Sequence, residues 1–244
     1  MFRKQKVLSV IPARRGSKRL PGKNHRLIAG KPLIAWTLEA SLGSVVVDRT
    51  VVSTDDWSVI ETIGQQGFSD FLRRPNSLAT DDVSMTSVLT DVIKKLSEQG
   101  ENFGYLMLLQ PTSPLRSAEH IQRAFDLMEE RNAVGVVSVC LTEHPKEWTG
   151  KIRKDGSLDA FFRETRLEMQ SQELGKSYQI NGAIYIVPVE KFMLQQTLFL
   201  PTGMTALIMD RRDSVDVDYE YDLDLADWLL MRRSTQRPTS EIDN

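Results

Sequence analysis

The stretch Val7-Leu-Ser-Val-Ile11, followed at once by Pro12-Ala-Arg-Arg-Gly-Ser-Lys-Arg-Leu-Pro-Gly-Lys-Asn24, decides the fold of this chain. Its first part is a short continuous apolar run, which is typical of a strand buried on both faces of a parallel sheet. Its second part is a basic loop rich in glycine and proline. Because open α/β sheets bind ligands at the carboxyl edge of their strands, the stretch predicts an α/β fold with its site at this loop.

Other segments continue the same alternation. Further apolar runs predict strands at 49–53, 105–109, 133–139 and 182–187. Between them, apolar side chains fall on one helical face over 88–96 and over 121–128, and Pro32 stands near the first turn of another helix. Strands that alternate with helices predict a doubly wound, mostly parallel sheet.

The bulk composition is that of a globular protein of 244 residues, with 31 basic against 33 acidic side chains. Such a balance excludes a global field that would attract nucleic acid or an anionic membrane, so any anion site must be local. The single cysteine, Cys140, and three scattered histidines exclude an internal disulfide and a zinc cluster. We expect a cytoplasmic protein, because the apolar run behind the basic start is too short for a signal peptide or a membrane span.

The alternation breaks over residues 143–178, where charged residues and glycines interrupt any period. We interpret this stretch as an insertion in a single domain, 1–244. A short inserted segment cannot bury all of its own apolar side chains: Trp148, Leu158, Phe161, Phe162, Leu167 and Met169. A second copy of the chain is the expected cover, so we predict a homodimer. A helix at 223–231 and a flexible polar tail at 233–244 close the chain.

The loop after the first strand combines two kinds of phosphate binder. Gly16 and Ser17 let backbone N–H groups approach an anion closely, and positive charge comes from Arg14, Arg15, Lys18, Arg19 and Lys23. The loop has neither the Walker spacing nor the Gly-x-Gly-x-x-Gly fingerprint, which argues against ATPases and dehydrogenases. It therefore predicts a polyphosphate site, and the alternative is a solvated basic loop.

This loop resembles the first motif of the acylneuraminate cytidylyltransferases, which make CMP-activated sialic, legionaminic and pseudaminic acids. The matching positions are Arg14, Ser17, Lys18, Leu20, Lys23 and Asn24. The resemblance implies a Rossmann-like nucleotidyltransferase fold of the GT-A type. It also implies that Arg14, Ser17, Lys18 and Lys23 bind CTP through its phosphates, with Asn24 near the nucleotide. Kdo cytidylyltransferases share a version of this loop, so it leaves the acceptor open.

A second segment, Arg73-Arg-Pro-Asn-Ser-Leu-Ala-Thr-Asp-Asp82, resembles the family's cytidine-binding stretch. The resemblance nominates Arg74, with Ser84 as a further candidate for binding CTP. The alternative is a surface turn in which Asp81 or Asp82 caps the helix that follows.

A third segment, Leu109-Gln-Pro-Thr-Ser-Pro-Leu-Arg116, matches a family motif completely. The resemblance implies Gln110 and Thr112 beside the acceptor sugar, with Ser113 and Arg116 supporting the turn. Kdo enzymes carry a different, acidic motif here, which argues against that acceptor. The alternative is a strand end in which Ser117 caps a helix.

A fourth segment, Gln179-Ile-Asn-Gly-Ala-Ile-Tyr185, resembles the family's Asn-Gly-Ala-Ile-Tyr strand. The resemblance implies Asn181 and Tyr185 on the sugar face, although Tyr185 could equally be a core tyrosine. Sialic-acid-specific members place an arginine where this chain has Gln179. We therefore expect the acceptor of this chain to carry different substituents from those of sialic acid.

The last motif is Asp213-Ser-Val-Asp-Val-Asp218, in which Asp216 and Asp218 stand two residues apart. On an extended backbone both carboxylates point to one side and can share one hard cation. The resemblance supports this interpretation, because the family's Asp-x-Asp holds Mg²⁺, and Mn²⁺ is a possible substitute. The alternative is an exposed acidic strand.

Together the motifs predict transfer of CMP from CTP to the anomeric hydroxyl of a nine-carbon 2-keto acid sugar of the N-acylneuraminate or legionaminate type, with release of pyrophosphate. Arg14, Lys23, Asp216 and Asp218 are the expected catalytic residues. We expect the insertion to cover the acceptor, with Lys146 or else Arg163 facing the sugar carboxylate across the dimer.

Other functions remain open at this point. Within the same class, the acceptor could be pseudaminic acid or Kdo. A hexose-1-phosphate nucleotidyltransferase and a glycosyltransferase are further enzyme alternatives, and a catalytically inactive sensor of nucleotide-sugars is an alternative from another class.

Overall fold

The computed structural model of the chain describes residues 1–165, 167–168 and 174–235. Its strands are β1 (Val7–Pro12), β2 (Leu27–Ile28), β3 (Lys31–Pro32), β4 (Arg49–Thr54), β5 (Phe71–Arg73), β6 (Tyr105–Leu108), β7 (Gly135–Leu141), β8 (Tyr178–Pro188) and β9 (Met204–Met209). Its helices are α1 (Leu33–Leu42), α2 (Trp57–Gln65), α3 (Met85–Glu98), α4 (Ala118–Glu130), α5 (Asp159–Glu164), α6 (Val189–Gln195) and α7 (Glu220–Thr235).

Seven strands form one sheet in the order β5-β4-β1-β6-β8-β7-β9, and β2 and β3 form a separate hairpin. Strand β8 runs antiparallel to both of its neighbours, β6 and β7. The other adjacent pairs of the large sheet are parallel. The predicted α/β fold with a mostly parallel sheet is therefore confirmed.

Burial of β1 on both faces explains why its sequence is apolar throughout. Val7 and Ile11 lie in one buried cluster with side chains of α1, α2 and α4. Leu8 and Val10 lie in a second cluster with side chains of α3 and α6. Successive side chains of a strand point to opposite faces, so helices cover both sides of the sheet. Each fully buried aliphatic side chain contributes about 1.5–3 kcal/mol.

Side-chain caps fix where the helices begin. Ser117 caps α4 in a reciprocal box with His120, whose Nδ1 accepts the Ser117 backbone N–H at 3.1 Å. Ser84 caps α3 by accepting the Ser87 N–H. The interpretation of Asp81 or Asp82 as the cap of this helix is therefore wrong, because the helix begins after Ser84 and that hydroxyl satisfies its free N–H group.

The stretch between β7 and β8 leaves the sheet after Leu141 and returns at Tyr178. It contains a short 3-10 turn at 146–148 and helix α5. Among the residues of this stretch that the structure describes, four large apolar side chains remain exposed: Ile152, Leu158, Phe162 and Leu167. Met169, which we predicted to be part of the same apolar set, lies outside the described residues.

Helix α7 continues to Thr235 and so includes the first three residues of the predicted flexible tail, 233–235. That tail boundary is a correction: the side chain of Arg233 donates to the Leu115 carbonyl oxygen at 2.8 Å, which ties the end of the helix to the body of the protein. Residues 236–244 lie outside the described part. Within that part, the helices are too short or too polar to cross a membrane.

Candidate active site

A cavity of about 590 Å³ opens at the carboxyl ends of β1, β5 and β6, the edge of the sheet that the sequence predicts. Its walls are formed by Pro12, Arg14, Ser17, Lys18, Arg19, Lys23, Asn24, Arg74, Asp81, Met85, Gln110, Pro111, Thr112, Asp216 and Asp218. The basic loop, the Arg-Pro segment, the Gln-Pro-Thr motif and the aspartate pair, which are spread over some 200 residues of sequence, therefore meet in one place.

The basic loop is folded back on itself. Gly22 adopts a positive φ of 67°, which favours glycine, and turns the chain into a short 3-10 helix at Lys23–His25. The buried Asn24 side chain donates to the Arg14 carbonyl oxygen at 3.4 Å. His25 Nδ1 lies 3.0 Å from the Thr62 hydroxyl of α2, which anchors the end of the loop. The cationic side chains thus project from a shaped backbone.

Two of the loop cations meet a carboxylate from the opposite wall. Arg14 Nη1 lies 2.6 Å from Asp81 Oδ1, and Lys18 Nζ lies 2.5 Å from Asp81 Oδ2. Hydrogen bonds from Lys18 and Arg14 hold the pKa of the Asp81 carboxyl below its usual range. Arg14 and Lys18, two of the predicted phosphate-binding residues, are therefore paired with a carboxylate of the protein itself.

The aspartate pair faces the cavity from the other side. Asp216 and Asp218 line it, whereas Val217 between them is fully buried, as alternation along an extended backbone predicts. The Val217 N–H donates to the Thr112 carbonyl oxygen at 2.7 Å, which fastens this segment to the Gln-Pro-Thr motif. Lys23 Nζ donates to the Val217 carbonyl oxygen at 2.9 Å and to Asp218 Oδ1 at 3.1 Å.

Asp216 is exposed at the mouth of the cavity, and the cavity walls desolvate its carboxylate in part. This desolvation raises the pKa of Asp216, the nearby charge of Asp218 adds to the effect, and a hydrogen bond from Thr112 opposes it. A bound cation would relieve the repulsion between the two carboxylates.

The donor set fits Mg²⁺ or Mn²⁺ bound together with phosphates. In the described part of the chain, no group of three or more His, Cys, Asp or Glu side chains is placed to hold a metal by itself. Mg²⁺ usually takes one or two carboxylates, keeps several waters and completes its shell with substrate phosphate oxygens. Two carboxylates beside a cationic loop therefore supply the share that a protein normally provides.

Arg74 places a buried positive charge at the cavity wall. Its guanidinium donates to the Ser53 carbonyl oxygen at 2.8 Å and contacts the Ser53 hydroxyl at 3.4 Å, and both partners are neutral. Burial lowers the pKa of Arg74 because these partners compensate its desolvation only in part. An anionic or carbonyl group of a ligand would complete the solvation of this cation.

The predicted acceptor residues Gln110 and Thr112 line the cavity, and Gly182 of β8 makes room for the first of them. Gly182 has a φ of +77°, and a Cβ atom there would lie only 2.6 Å from Gln110 Oε1. Arg116 supports the turn as predicted, since its Nη1 donates to the Ala183 carbonyl oxygen at 3.0 Å. The glycine of the Asn-Gly motif therefore contributes to this site by leaving space for the Gln110 side chain next to the backbone of β8.

Five predicted binding residues do not line the cavity: Ser84, Lys146, Gln179, Asn181 and Tyr185. Asn181 is buried, where its Oδ1 accepts from the Ser138 hydroxyl at 2.6 Å and its Nδ2 donates to Ser214 at 2.9 Å. Tyr185 packs in the core with its ring edge-on to Phe199. Their contact with an acceptor, and that of the exposed Gln179 and Lys146, stays a prediction.

Five residues of the cavity wall are not among the predicted site residues: Pro12, Arg19, Asp81, Met85 and Pro111. Arg19 was noted only as part of the basic run, yet its Nη1 lies 2.7 Å from Asp218 Oδ2. Asp81 was interpreted as a possible helix cap. Met85 supplies an apolar wall from the first turn of α3, and the only available signal was its position directly after the capping residue Ser84.

Comparison with known proteins gives concordant results. Residues 8–196 match the family model described as cytidylyltransferase. Over 227 residues the chain is 34% identical to the CMP-N,N'-diacetyllegionaminic acid synthase of Legionella pneumophila, which covers 92% of this chain and 96% of that protein. It is 32% identical over 236 residues to the N-acylneuraminate cytidylyltransferase of Escherichia coli, covering 95% of this chain but 54% of that protein, so the chain spans about half of that relative.

Among solved structures, a CMP:2-keto-3-deoxy-manno-octonic acid synthetase complexed with CTP superposes with a TM-score of 0.67. It covers 93% of this chain and 99% of that chain at 21% sequence identity. A likeness at this identity establishes a shared fold and carries no assignment of substrate.

Proposed function

This chain belongs to the cytidylyltransferase family, and we propose that its acceptor is a nine-carbon acidic sugar of the legionaminic type. The chain is a CMP-sugar synthetase: it transfers CMP from CTP to the anomeric hydroxyl of a nine-carbon 2-keto acid and releases pyrophosphate. Two observations support the legionaminic type: the match to a legionaminic acid synthase over nearly the full length of both chains, and Gln179 in place of the arginine expected for sialic-acid-specific enzymes.

The observation that carries the reaction is the meeting of the basic loop and the aspartate pair in one cavity. Cytidylyl transfer requires the α-phosphate to be held in line between the attacking hydroxyl and the departing pyrophosphate, with the developing negative charge neutralised. Arg14, Lys18 and Lys23 would neutralise the phosphate oxygens from one wall. Asp216 and Asp218 would hold Mg²⁺ or Mn²⁺ on the other, where the bound cation supplies Lewis-acid stabilisation of the triphosphate.

The acceptor would approach from the side of the Gln-Pro-Thr motif. Gln110 and Thr112 supply an amide and a hydroxyl beside the aspartate pair, which suits a polyhydroxylated sugar. The anomeric oxygen forms a bond to the α-phosphorus while the bond from that phosphorus to the β-phosphate oxygen breaks. No histidine is among the described residues that line the cavity, so the hydroxyl proton passes to water or to a carboxylate.

The active unit in this proposal is a homodimer formed through residues 143–178. Support comes from the exposed apolar side chains of this stretch, among which Ile152 is 65% exposed and Phe162 60% exposed. Lys146 is solvent-exposed in the single chain, and its Nζ lies 3.9 Å from Glu147 Oε1. It would reach the acceptor carboxylate of the partner subunit. We place the reaction in the cytoplasm, where CTP is available.

Pyrophosphate release from CTP and Mg²⁺ tests the proposal, with legionaminic, N-acetylneuraminic and pseudaminic acids and Kdo offered in parallel. We expect turnover with the legionaminic acid and its loss in Asp218→Ala, whereas Asp224→Ala removes an equal charge from the exposed face of α7 and should retain activity. Preference for another acid would reassign the acceptor. Folded protein that binds CTP and releases pyrophosphate with none of them would instead indicate a sensor.

A further inference from the structure

Asp81 stands where a phosphate group would be expected. One of its carboxylate oxygens lies 2.6 Å from the Arg14 guanidinium, and the other lies 2.5 Å from the Lys18 ammonium. A phosphate group offers the same cations a similar pair of oxygens. An anion that binds this part of the loop would therefore compete with Asp81 for Arg14 and Lys18.

The contact is not required by the secondary structure around it. Ser84, and not Asp81, caps helix α3. The turn that carries Asp81 has few backbone hydrogen bonds of its own, the nearest being Val83 N–H to the Thr80 carbonyl oxygen at a long 3.4 Å. Asp81 is exposed at the cavity mouth. Its carboxylate can therefore leave the two cations without disturbing a helix or a strand.

The charge of Asp81 is present throughout the physiological pH range, because Lys18 and Arg14 keep the pKa of its carboxyl below the ordinary value. Its proximity also makes it a persistent competitor: a group tethered to the same protein acts at a high effective concentration. Inorganic pyrophosphate, the polyanion left after cytidylyl transfer, would compete with it for the same two side chains.

We propose that Asp81 is a displaceable counter-ion of the phosphate loop, which yields Arg14 and Lys18 to the incoming triphosphate and reclaims them as pyrophosphate departs. This inference rests on the proposed function and adds a residue that governs product release. Asp81 touches the two cations and not the reacting atoms, so its role is one of positioning and release. No covalent step is assigned to it.

The test compares the wild-type protein with Asp81→Asn and Asp82→Asn. Asparagine keeps the shape of the side chain and removes its charge. The neighbouring Asp82 is also exposed, and among the described residues it takes part in no ion pair, so its replacement controls for the general effect of one lost negative charge. The dissociation constant of inorganic pyrophosphate is measured by calorimetry at low ionic strength, and its release rate by stopped flow.

We expect Asp81→Asn to bind pyrophosphate about five to ten times more tightly than the wild type, with slower release and stronger product inhibition. Asp82→Asn should match the wild type within about twofold. Unchanged or weaker pyrophosphate binding in a folded Asp81→Asn protein overturns the inference, even if the enzyme makes CMP-sugar normally. Failure of the wild type to release pyrophosphate with any acid would overturn the proposed function instead.

Discussion

Arg19 and Asp218 form an ion pair across the mouth of the cavity, with the guanidinium Nη1 2.7 Å from the carboxylate Oδ2. Lys23 occupies the other oxygen of the same carboxylate at 3.1 Å. Both oxygens of a proposed metal ligand are therefore engaged by side-chain cations of the basic loop. A divalent cation that binds Asp218 would compete with both of them for the carboxylate, and Arg19 is the more exposed of the two.

Removal of this competing cation should strengthen metal binding in the absence of nucleotide. We predict that Arg19→Ala binds Mn²⁺ roughly three to ten times more tightly than the wild type, as followed by electron paramagnetic resonance. Arg15→Ala removes the same charge from an exposed position in the same loop and should change the affinity less. If both variants changed Mn²⁺ affinity equally, the cause would be the overall positive charge of the loop and not direct competition of Arg19 for Asp218.

The close approach of Gly182 to Gln110 gives a second prediction. Gly182→Ala should raise the KM for the acceptor about tenfold while the Kd for CTP stays unchanged, because the new Cβ would displace the Gln110 amide. Gly67→Ala is the matched control, since Gly67 has a similar φ of +76° but open space around it. Both variants should lose about 1 kcal/mol of unfolding free energy from backbone strain. If Gly182→Ala and Gly67→Ala had the same KM for the acceptor, the approach of Gly182 to Gln110 would have no role in acceptor binding.

Buried Arg74 should matter to ligand binding more than to folding. Arg74→Gln is expected to weaken CTP binding roughly thirtyfold, the loss of about 2 kcal/mol from one charge-assisted hydrogen bond. Thermal stability should not fall, because burial of this cation is itself unfavourable, as its lowered pKa indicates. Arg73→Gln removes the charge of an exposed neighbour that lies over the Trp57 ring, and should bind CTP normally. A parallel loss of stability and binding in Arg74→Gln would indicate a structural role.

His120 should make stability depend on pH. Burial, and beyond it the charges of Arg233 and Arg123, lower its pKa to about 4, so the neutral ring accepts the Ser117 N–H and donates from Nε2 to Asp213. Between pH 6.5 and 4 the unfolded chain binds this proton and the folded chain does not. The free energy of unfolding should therefore fall by up to about 3 kcal/mol as the pH drops through this window.

Urea denaturation of the wild type and of His120→Gln from pH 7 to pH 4 measures this contribution. Glutamine can preserve the capping box and cannot titrate, so the difference between the two proteins isolates the histidine from the carboxylates. Parallel pH profiles for the two proteins would contradict the assignment.

The long buried elements could be predicted from the sequence because each carries one clear hydrophobic signal, either a continuous apolar run or a helical period. The apolar run at 7–11 and the helical face at 121–128 correspond to β1 and α4. The three-residue strand β5 is too short to show a period, and in β9 partly buried and exposed side chains such as Ile208 interrupt the apolar run. The antiparallel direction of β8 could not be foreseen, since its apolar sequence suits either orientation.

The residues of the cavity divide in the same way. Residues within motifs, such as Lys23, Gln110 and Asp218, were predicted from the motifs and the family resemblance that these motifs carry, and they do line the cavity. The pairing of Asp81 with Arg14 was not foreseen, because it depends on how two irregular loops approach each other across the site. Sequence spacing predicts which side chains leave a strand edge, and it does not predict which opposite charges then meet.

The bond from Lys23 to the Val217 carbonyl oxygen joins positions 194 residues apart. During synthesis the amino-terminal loop leaves the ribosome long before the segment at 215–218 that completes the cavity. Closing so long a loop is entropically unfavourable until the intervening sheet has formed. We therefore expect the cavity to be among the last features of the molecule to assemble, and a chain truncated before residue 216 would carry the basic loop without the aspartate pair that faces it.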